Sequence, residues 1–467
     1  MTSSYRPVTN IEIKADAYLL EYIQKQCREK QIKFISTATN KSILKLRTEA
    51  DLHYQAELLN NLWKQLLSDA IIFLKKKDNR ELYHDRVTMG TEKLCDFLNE
   101  FQKFEPILYG SVPNYRDHIA HVLRVYFLGQ YLIENAIGFE NISFSRSDFV
   151  SPPEKEAMWC IIALTHDLGV SLEKVHDINQ KVRSMLQKFG NIPVQEIGYS
   201  YFAQFGAFSE FAVKFMSSDV ATVKEDEKDT REDEGSKKGR KKKPKEEFTT
   251  RIQSKYYQKL LAALGNFNHG VMSSIILMKD LVYFKESDYK LDQSKYLDEE
   301  DARQFMIRRE ILRAIAAHSC DDIYHLTIRN FPFLLTVCDE MQEWGRPRLV
   351  DVFKRGETST KLTINKFDGE TVDYRVTFYF REDSKASEEE RKNAKREVMR
   401  YCLAKREKWL NVLRSAVGGD LRKLTLNFEV EDASIAAIET YALHHPNPRD
   451  VKMTPINEEL GKRLVSD

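Results

Sequence analysis

Met158-Trp159-Cys160-Ile161-Ile162-Ala163-Leu164-Thr165-His166-Asp167-Leu168-Gly169 carries an apolar run straight into an imidazole and a carboxylate. A charged aspartate beside a histidine is costly next to such a stretch unless something binds both, and the usual binder is a divalent metal. Alone, a His-Asp dipeptide is equally well a surface pair or a capped helix end. Its meaning depends on what the rest of the chain brings to it.

Further polar residues continue apolar stripes. His121 opens the face Val125, Leu128 and Leu132, which at about 3.6 residues per turn points it to a helical core. His269 follows Asn266-Phe267-Asn268 and precedes the run Val271 to Met278, which predicts a helix with Asn268 as N-cap and His269 in the first turn. His318 ends the pattern Ile311, Ile315, and Asp339 lies one turn after Leu335. One histidine on such a face is normally a hydrogen-bonded core residue. The coincidence of all of them, each with a good ligand atom, favours a shared metal centre.

The order His121, then His166-Asp167, then His269, His318 and Asp339 on successive helices resembles the HD-domain metal-dependent phosphohydrolase superfamily. The motifs are Arg116-Asp117-His118-Ile-Ala-His121-Val-Leu-Arg124-Val, Leu164-Thr-His166-Asp167-Leu-Gly169, His269-Gly270-Val-Met-Ser-Ser, Ala316-Ala317-His318-Ser and Cys338-Asp339-Glu340, spanning Tyr115 to Arg348. The resemblance implies a helical core in which His121, His166, Asp167 and Asp339 hold one metal. The additional His269 and His318 resemble the two-metal members, which include the HD-GYP cyclic-dinucleotide phosphodiesterases, the HD nucleases of CRISPR interference systems and the diiron oxygenase that cleaves myo-inositol. The chemistry implied is hydrolysis of a phosphoester in a nucleotide or cyclic nucleotide. An HD nuclease or a nucleotide triphosphohydrolase is the alternative among enzymes, and a non-catalytic sensor of nucleotide and metal is the alternative from another class.

The donor set speaks independently of any name. Imidazole with carboxylate suits Mn, Fe, Co, Ni or Zn better than Ca, Mg is compatible, and the absence of cysteine argues against a structural thiolate zinc site. Asp167 is the natural bridge between two ions. Metals about 3.5–4 Å apart bring a shared water close to neutral pKa and clamp both oxygens of an in-line phosphoryl displacement.

Other side chains gather around these motifs. His118, one turn before His121, is placed to protonate a leaving oxygen or touch phosphate, and with Asp167 and Lys174 makes the expected catalytic set. Lys174 marks a departure from the common His-Asp-x-Gly-Lys form, since no lysine follows Gly169 directly. Arg124, one turn after His121, is expected to orient a ligating carboxylate or reach substrate. Arg346 and Arg348, in Gly345-Arg346-Pro347-Arg348, could hold a phosphate bidentately or simply end a helix at the breaker.

Lys and Arg number 72 against 71 Asp and Glu, a formal net charge of +1. That gives no global electrostatic footprint for nucleic acid and disfavours a processive nucleic-acid enzyme, although it allows a local basic patch. With 467 residues, 42% of them hydrophobic, the chain can bury a large core and divide into two or three domains. The cysteines are scattered without paired spacing, as reduced core thiols are. Without a signal peptide or an apolar run of about 18 residues, the expectation is a cytoplasmic protein with no membrane partner. A homo-oligomer stays open.

Residues 1–105 read as a helical N-terminal extension, with stripes such as Leu58-Leu59 through Leu66-Leu67 to Ile71-Ile72; 106–350 read as the HD-type domain and 351–467 as a small α+β domain. Between Ser217 and Glu247 the composition collapses into acidic and then basic tracts, which cannot form a core and are expected to be a mobile inserted loop. After Arg348, Lys361-Leu-Thr-Ile-Asn and Tyr374-Arg-Val-Thr-Phe-Tyr-Phe alternate as strands around Asp368-Gly369, a helix is expected from Ser387 to Leu413, and Leu424 to Val430 forms another strand.

Overall fold

The computed structural model describes residues 6–14, 16–77, 90–111, 117–188, 190, 201–223, 246–285, 296–325, 327–345, 358–380, 385, 387–391, 405, 420–430, 433–441 and 451–454, and the fold is mainly α. The helices are α1 (Ala17–Arg28), α2 (Thr37–Lys45), α3 (Ala56–Lys77), α4 (Thr91–Ser111), α5 (Ile119–Leu132), α6 (Pro152–Thr165), α7 (Val170–Gln187), α8 (Tyr201–Ser217), α9 (Ser254–Gly265), α10 (His269–Asp280), α11 (Val282–Lys285), α12 (Glu299–Ala317) and α13 (Phe331–Met341). The strands are β1 (Val8–Ile13), β2 (Ser218–Thr222), β3 (Phe248–Ile252), β4 (Thr358–Phe367), β5 (Thr371–Phe380), β6 (Lys423–Val430), β7 (Ala433–Tyr441) and β8 (Val451–Thr454).

Helix α5 is apolar around most of its circumference, and every residue of it is buried, the polar His121, Arg124 and Gln130 included. Helix α6 lies against it, with Trp159 Nε1 donating to Tyr126 O at 3.2 Å. The Trp159 ring seats against the α5 backbone at Gly129, where a Cβ would stand 1.8 Å from Trp159 Cζ2. Truncating a buried Trp typically costs about 3–5 kcal/mol, so Trp159→Ala is expected to destabilise the core by about that much. From the other side α3 packs on α6, and Trp63 Nε1 donates to Leu164 O at 2.8 Å. Helix α12 packs against α6, α10 and α13, which gathers the motif-bearing helices around one core.

Local sequence fixes where these helices begin. Ahead of α6, the Ser151 N–H donates to the Glu154 carboxylate at 2.9 Å, and Pro152 opens the first turn, where its missing N–H costs nothing. Asn268 caps α10 as its sequence predicts, accepting from Val271 N. Asp298 caps α12 through Glu300 N and Asp301 N, and Asn330 caps α13 through Phe333 N. A bend of 96° separates α9 from α10 and sets His269 at the corner. No single helix among the described residues is long and apolar enough to cross a membrane.

The larger sheet has the order β1-β4-β5-β6-β7-β8, and only the β5–β6 pair is parallel. Asp368 Oδ1 closes the β4–β5 hairpin by accepting from Glu370 N and Thr371 N at 2.8 and 2.7 Å. Strand β1 departs from the expectation of a wholly helical N-terminal segment: it lines β4, with Val8 opposite Phe367 and Ile13 opposite Leu362. Within the expected loop 217–247, Ser218–Thr222 is instead a strand paired with Phe248–Ile252. Phe248 is fully buried and packs with Leu297 and Ala302, an apolar anchor that the surrounding charges hide from a composition reading. The acidic and basic tracts at 224–245 and most of the helix expected from Ser387 to Leu413 lie outside the described residues.

Candidate metal centre

Helix ends place most of the inward-facing atoms. His166 is the C-cap of α6 and His318 that of α12. The last carbonyls of a helix lack intrahelical donors. His166 Nδ1 meets Ala163 O at 2.8 Å and His318 Nδ1 meets Ile315 O at 2.6 Å, so each ring satisfies a carbonyl of its own helix and turns Nε2 inward. Asp167 sits in the turn between α6 and α7, His121 in the first turn of α5, His269 at the first position of α10 and Asp339 on α13. Two glycines let these ends meet. A Cβ on Gly169 would lie 2.3 Å from His269 O, and one on Gly270 would lie 2.6 Å from Ile315 O.

All six residues expected as ligands come together. Asp167 Oδ2 lies 3.6 Å from His121 Nε2 and 3.5 Å from His166 Nε2. Asp167 Oδ1 lies 3.7 Å from His269 Nε2 and 3.6 Å from His318 Nε2. Asp339 Oδ1 is 3.0 Å from His121 Nε2 and 4.0 Å from His166 Nε2. Donor atoms of His121, His166 and Asp339 lie within 4.8 Å of one another, as do those of His166, Asp167 and His318. The central carboxylate thus offers each oxygen to a different group of imidazoles.

The partners behind the rings test whether this set suits a metal. His121 Nδ1 faces Gln342 Oε1 at 2.6 Å, and the Gln342 amide is oriented by its own donation to Trp344 O at 2.6 Å. His269 Nδ1 faces Glu173 Oε2 at 2.5 Å. Every Nδ1 therefore meets an acceptor and carries the proton, which leaves Nε2 as the lone-pair atom facing the centre, the arrangement of metal-binding histidines. Among the described residues the buried His166 Nε2 has no hydrogen-bond partner, a costly state for an acceptor that a cation relieves. The residues fit a metal.

Electrostatics agree. Burial opposes the charge on Asp167, but the imidazoles around it, His166 first and then His318, hold its carboxyl well below the usual range. Burial is also the main cause that lowers the pKa of His318, which favours its neutral, metal-binding form. Glu173 is lowered too: against burial stand the hydrogen bond and charge of His269 and then Lys174.

The remaining expected residues fall differently. His118 is buried beside the cluster, its Nε2 3.6 Å from Asp167 Oδ2 and its Nδ1 3.5 Å from Glu105 Oε1. Lys174 joins the cluster through Glu173, with Nζ 2.7 Å from Glu173 Oε1. Arg124 does not present itself to a substrate. Its guanidinium is fully buried and engaged, with Nε and Nη2 on the two Asp16 oxygens at 2.7 and 2.8 Å, Nη2 also on Asp51 at 2.7 Å and Nη1 on Gly345 O at 2.9 Å. Asp16 also accepts from Trp344 Nε1 at 3.0 Å, so Arg124 secures the segment that carries Gln342. Arg346 and Arg348 lie outside the described residues.

Gln342, Glu173 and Glu105 escape a reading of the sequence alone. The usable signal was spacing: Gln342 lies three residues after Asp339, and Glu173 lies in the first turn of the helix that Asp167 introduces. Searched against models of known protein families, curated proteins and solved structures, the chain matches none. The site itself carries the functional reading.

Proposed function

We propose that this chain is a metal-dependent phosphohydrolase that cleaves a phosphoester of a nucleotide or cyclic nucleotide. The observation that carries the reading is Asp167, whose Oδ2 faces His121 and His166 while Oδ1 faces His269 and His318. His121, His166, Asp167 and Asp339 would hold one divalent ion, and Asp167, His269 and His318 a second. Bound there, Mn, Fe, Co, Ni or Zn supplies Lewis acidity and a water of near-neutral pKa. The order of these residues along the chain is the one the HD-superfamily resemblance implies.

The protein's own groups prepare the site. Glu173, Gln342 and the carbonyls of Ala163 and Ile315 fix each ring's tautomer and aim its lone pair. His118, between Glu105 and Asp167, is the group placed to deliver a proton to a leaving oxygen. The buried helices exclude water from behind the cluster, which strengthens every charge interaction within it.

One contact favours a second reading, a nucleotide and metal sensor. Lys405 Nζ lies 2.9 Å from Glu340 Oε2 and 2.8 Å from Glu340 O, so a residue of the C-terminal region grips the helix that carries Asp339. A screen of the purified protein with Mn against nucleotides, cyclic nucleotides, single-stranded DNA and generic phosphoesters separates the readings. Released product supports the hydrolase. Binding without turnover overturns it in favour of the sensor.

A further inference from the structure

We infer that Lys405 is a positioning residue for the ion on the Asp339 side of the cluster, shared with His121 and His166, and that it has no part in holding the ion between Asp167, His269 and His318. The inference rests on the cluster's binding metal and stands whether or not the cluster hydrolyses phosphoesters.

Three acceptors of one short segment converge on the Lys405 ammonium. Nζ lies 2.8 Å from Glu340 O and 2.9 Å from Glu340 Oε2, and it also pairs with Glu343 Oε1. Lys405, Glu340 and Glu343 are all buried. Charges out of water persist only when paired, so this contact fixes its partners more firmly than a surface pair would. The Glu340 carbonyl belongs to the last turn of α13, where oxygens lack donors within their own helix, and a cation suits that end of the helix dipole.

What the ammonium holds is interleaved with what the centre uses. Asp339 directly precedes Glu340, and Gln342, whose Oε1 faces His121 Nδ1 at 2.6 Å, directly precedes Glu343. Each residue that serves the ion is therefore bonded to one that Lys405 anchors. A shift of this segment moves Asp339 Oδ1, 3.0 Å from His121 Nε2, together with the amide that aims the same ring. Partners behind metal ligands normally change affinity by about 10- to 100-fold. Farther on, Trp344 donates to Asp16 and the Gly345 carbonyl accepts from Arg124, so the stretch after Asp339 is fastened along its length. The rings of the other half are held elsewhere, His269 Nδ1 by Glu173 on α7 and His318 Nδ1 by Ile315 O on α12.

Two backgrounds of the full chain separate the halves: His318→Ala, which keeps the Asp339 side, and Asp339→Ala, which keeps the His318 side. Each is combined with Lys405→Met, and zinc affinity is read by competition with a chromophoric chelator. In the His318→Ala background Lys405→Met should weaken zinc binding about tenfold or more, while in the Asp339→Ala background the affinity should not change. Because removing a partner of buried carboxylates can cost the fold, Lys405→Met/Glu343→Gln, which preserves the net charge of the group, is measured alongside with circular dichroism on every protein. It should show the same one-sided loss. Equal losses in both backgrounds mark Lys405 as a general packing residue and overturn the inference, as does an unchanged affinity in the His318→Ala background. A wild type that binds no zinc overturns the metal reading along with it, whereas a zinc-binding wild type without the one-sided loss overturns this inference alone.

Discussion

His269 and His318 turn their Nε2 atoms toward each other at 3.2 Å. Because His318 Nδ1 is held on a carbonyl and His269 Nδ1 on a carboxylate, the facing atoms are lone pairs unless a cation or an extra proton lies between them. The metal-free protein is expected to be the less stable form. Adding Mn or Zn after EDTA treatment should raise the unfolding temperature, with about 2.7 kcal/mol gained when the ion is at 100 times its Kd. An unfolding temperature indifferent to metal would mean that the cluster holds no ion.

Asp167 is the residue both halves of the cluster share. Asp167→Asn keeps the shape and removes the charge, so elemental analysis should find at least one ion fewer per chain than in the wild type. His166→Ala and Asp167→Ala should abolish turnover while circular dichroism keeps the helical signal. Full turnover in the double alanine variant would sink the catalytic assignment.

Glu173 and Gln342 act through the rings they hold. Glu173→Ala and Gln342→Ala should each lower metal affinity or activity about 10- to 100-fold, the usual cost of losing such a partner. Competition against a chromophoric chelator reads the affinity directly. Unchanged affinity in both variants would mean that the ring orientations are set by packing alone.

A different buried acid governs a pH dependence. Gln130 Nε2 donates to Glu134 Oε1 at 2.7 Å and Glu156 Oε1 at 2.6 Å, and burial followed by the charge of Glu134 pushes the Glu156 carboxyl up to about 8. A raised carboxyl adds stability below its unfolded pKa, near 4.5, and that contribution is lost as pH rises through about 8. Glu156→Gln stays neutral, so at pH above about 8 it should exceed wild type by more than about 1 kcal/mol, with the gain fading toward pH 5. Urea midpoints across that range provide the test, and parallel pH profiles would refute it.

The strand pair β2–β3 sets the limits of a tolerated deletion. Replacing 224–245 by a short Gly/Ser linker should preserve folding and small-substrate turnover, because the composition of that stretch gives it no apolar side chains to pack. Deleting from Ser217 onward should destabilise, since it removes the strand that covers buried Phe248. Loss of small-substrate turnover in the linker variant with the fold retained would instead make the insert part of the active site.

Helix positions and the cluster were legible because both are local: apolar periodicity marks a buried face, and a ligand atom that continues the stripe must point where the stripe points. Asn268 as N-cap and His269 in the first turn follow from neighbours in sequence. What was hidden depends on distance along the chain. Arg124 reads as a substrate ligand until Asp16 and Asp51 arrive to claim its guanidinium, and Gln342 gains meaning only when α13 meets α5. Strand β1 is short and polar on its exposed side, so only its partner β4 reveals it.

That partnership bears on the order of assembly. During synthesis Val8–Ile13 leaves the ribosome long before Leu362–Phe367 exists to pair with it, and closing so long a loop carries an entropy cost that local helices avoid. The helices can gather first, with the sheet closing last as a clasp. Because Asp16 lies just beyond β1 and grips Arg124, that final event also tightens the helix bearing His121, so the His-Asp centre is expected to take its finished shape only once the two distant segments have met.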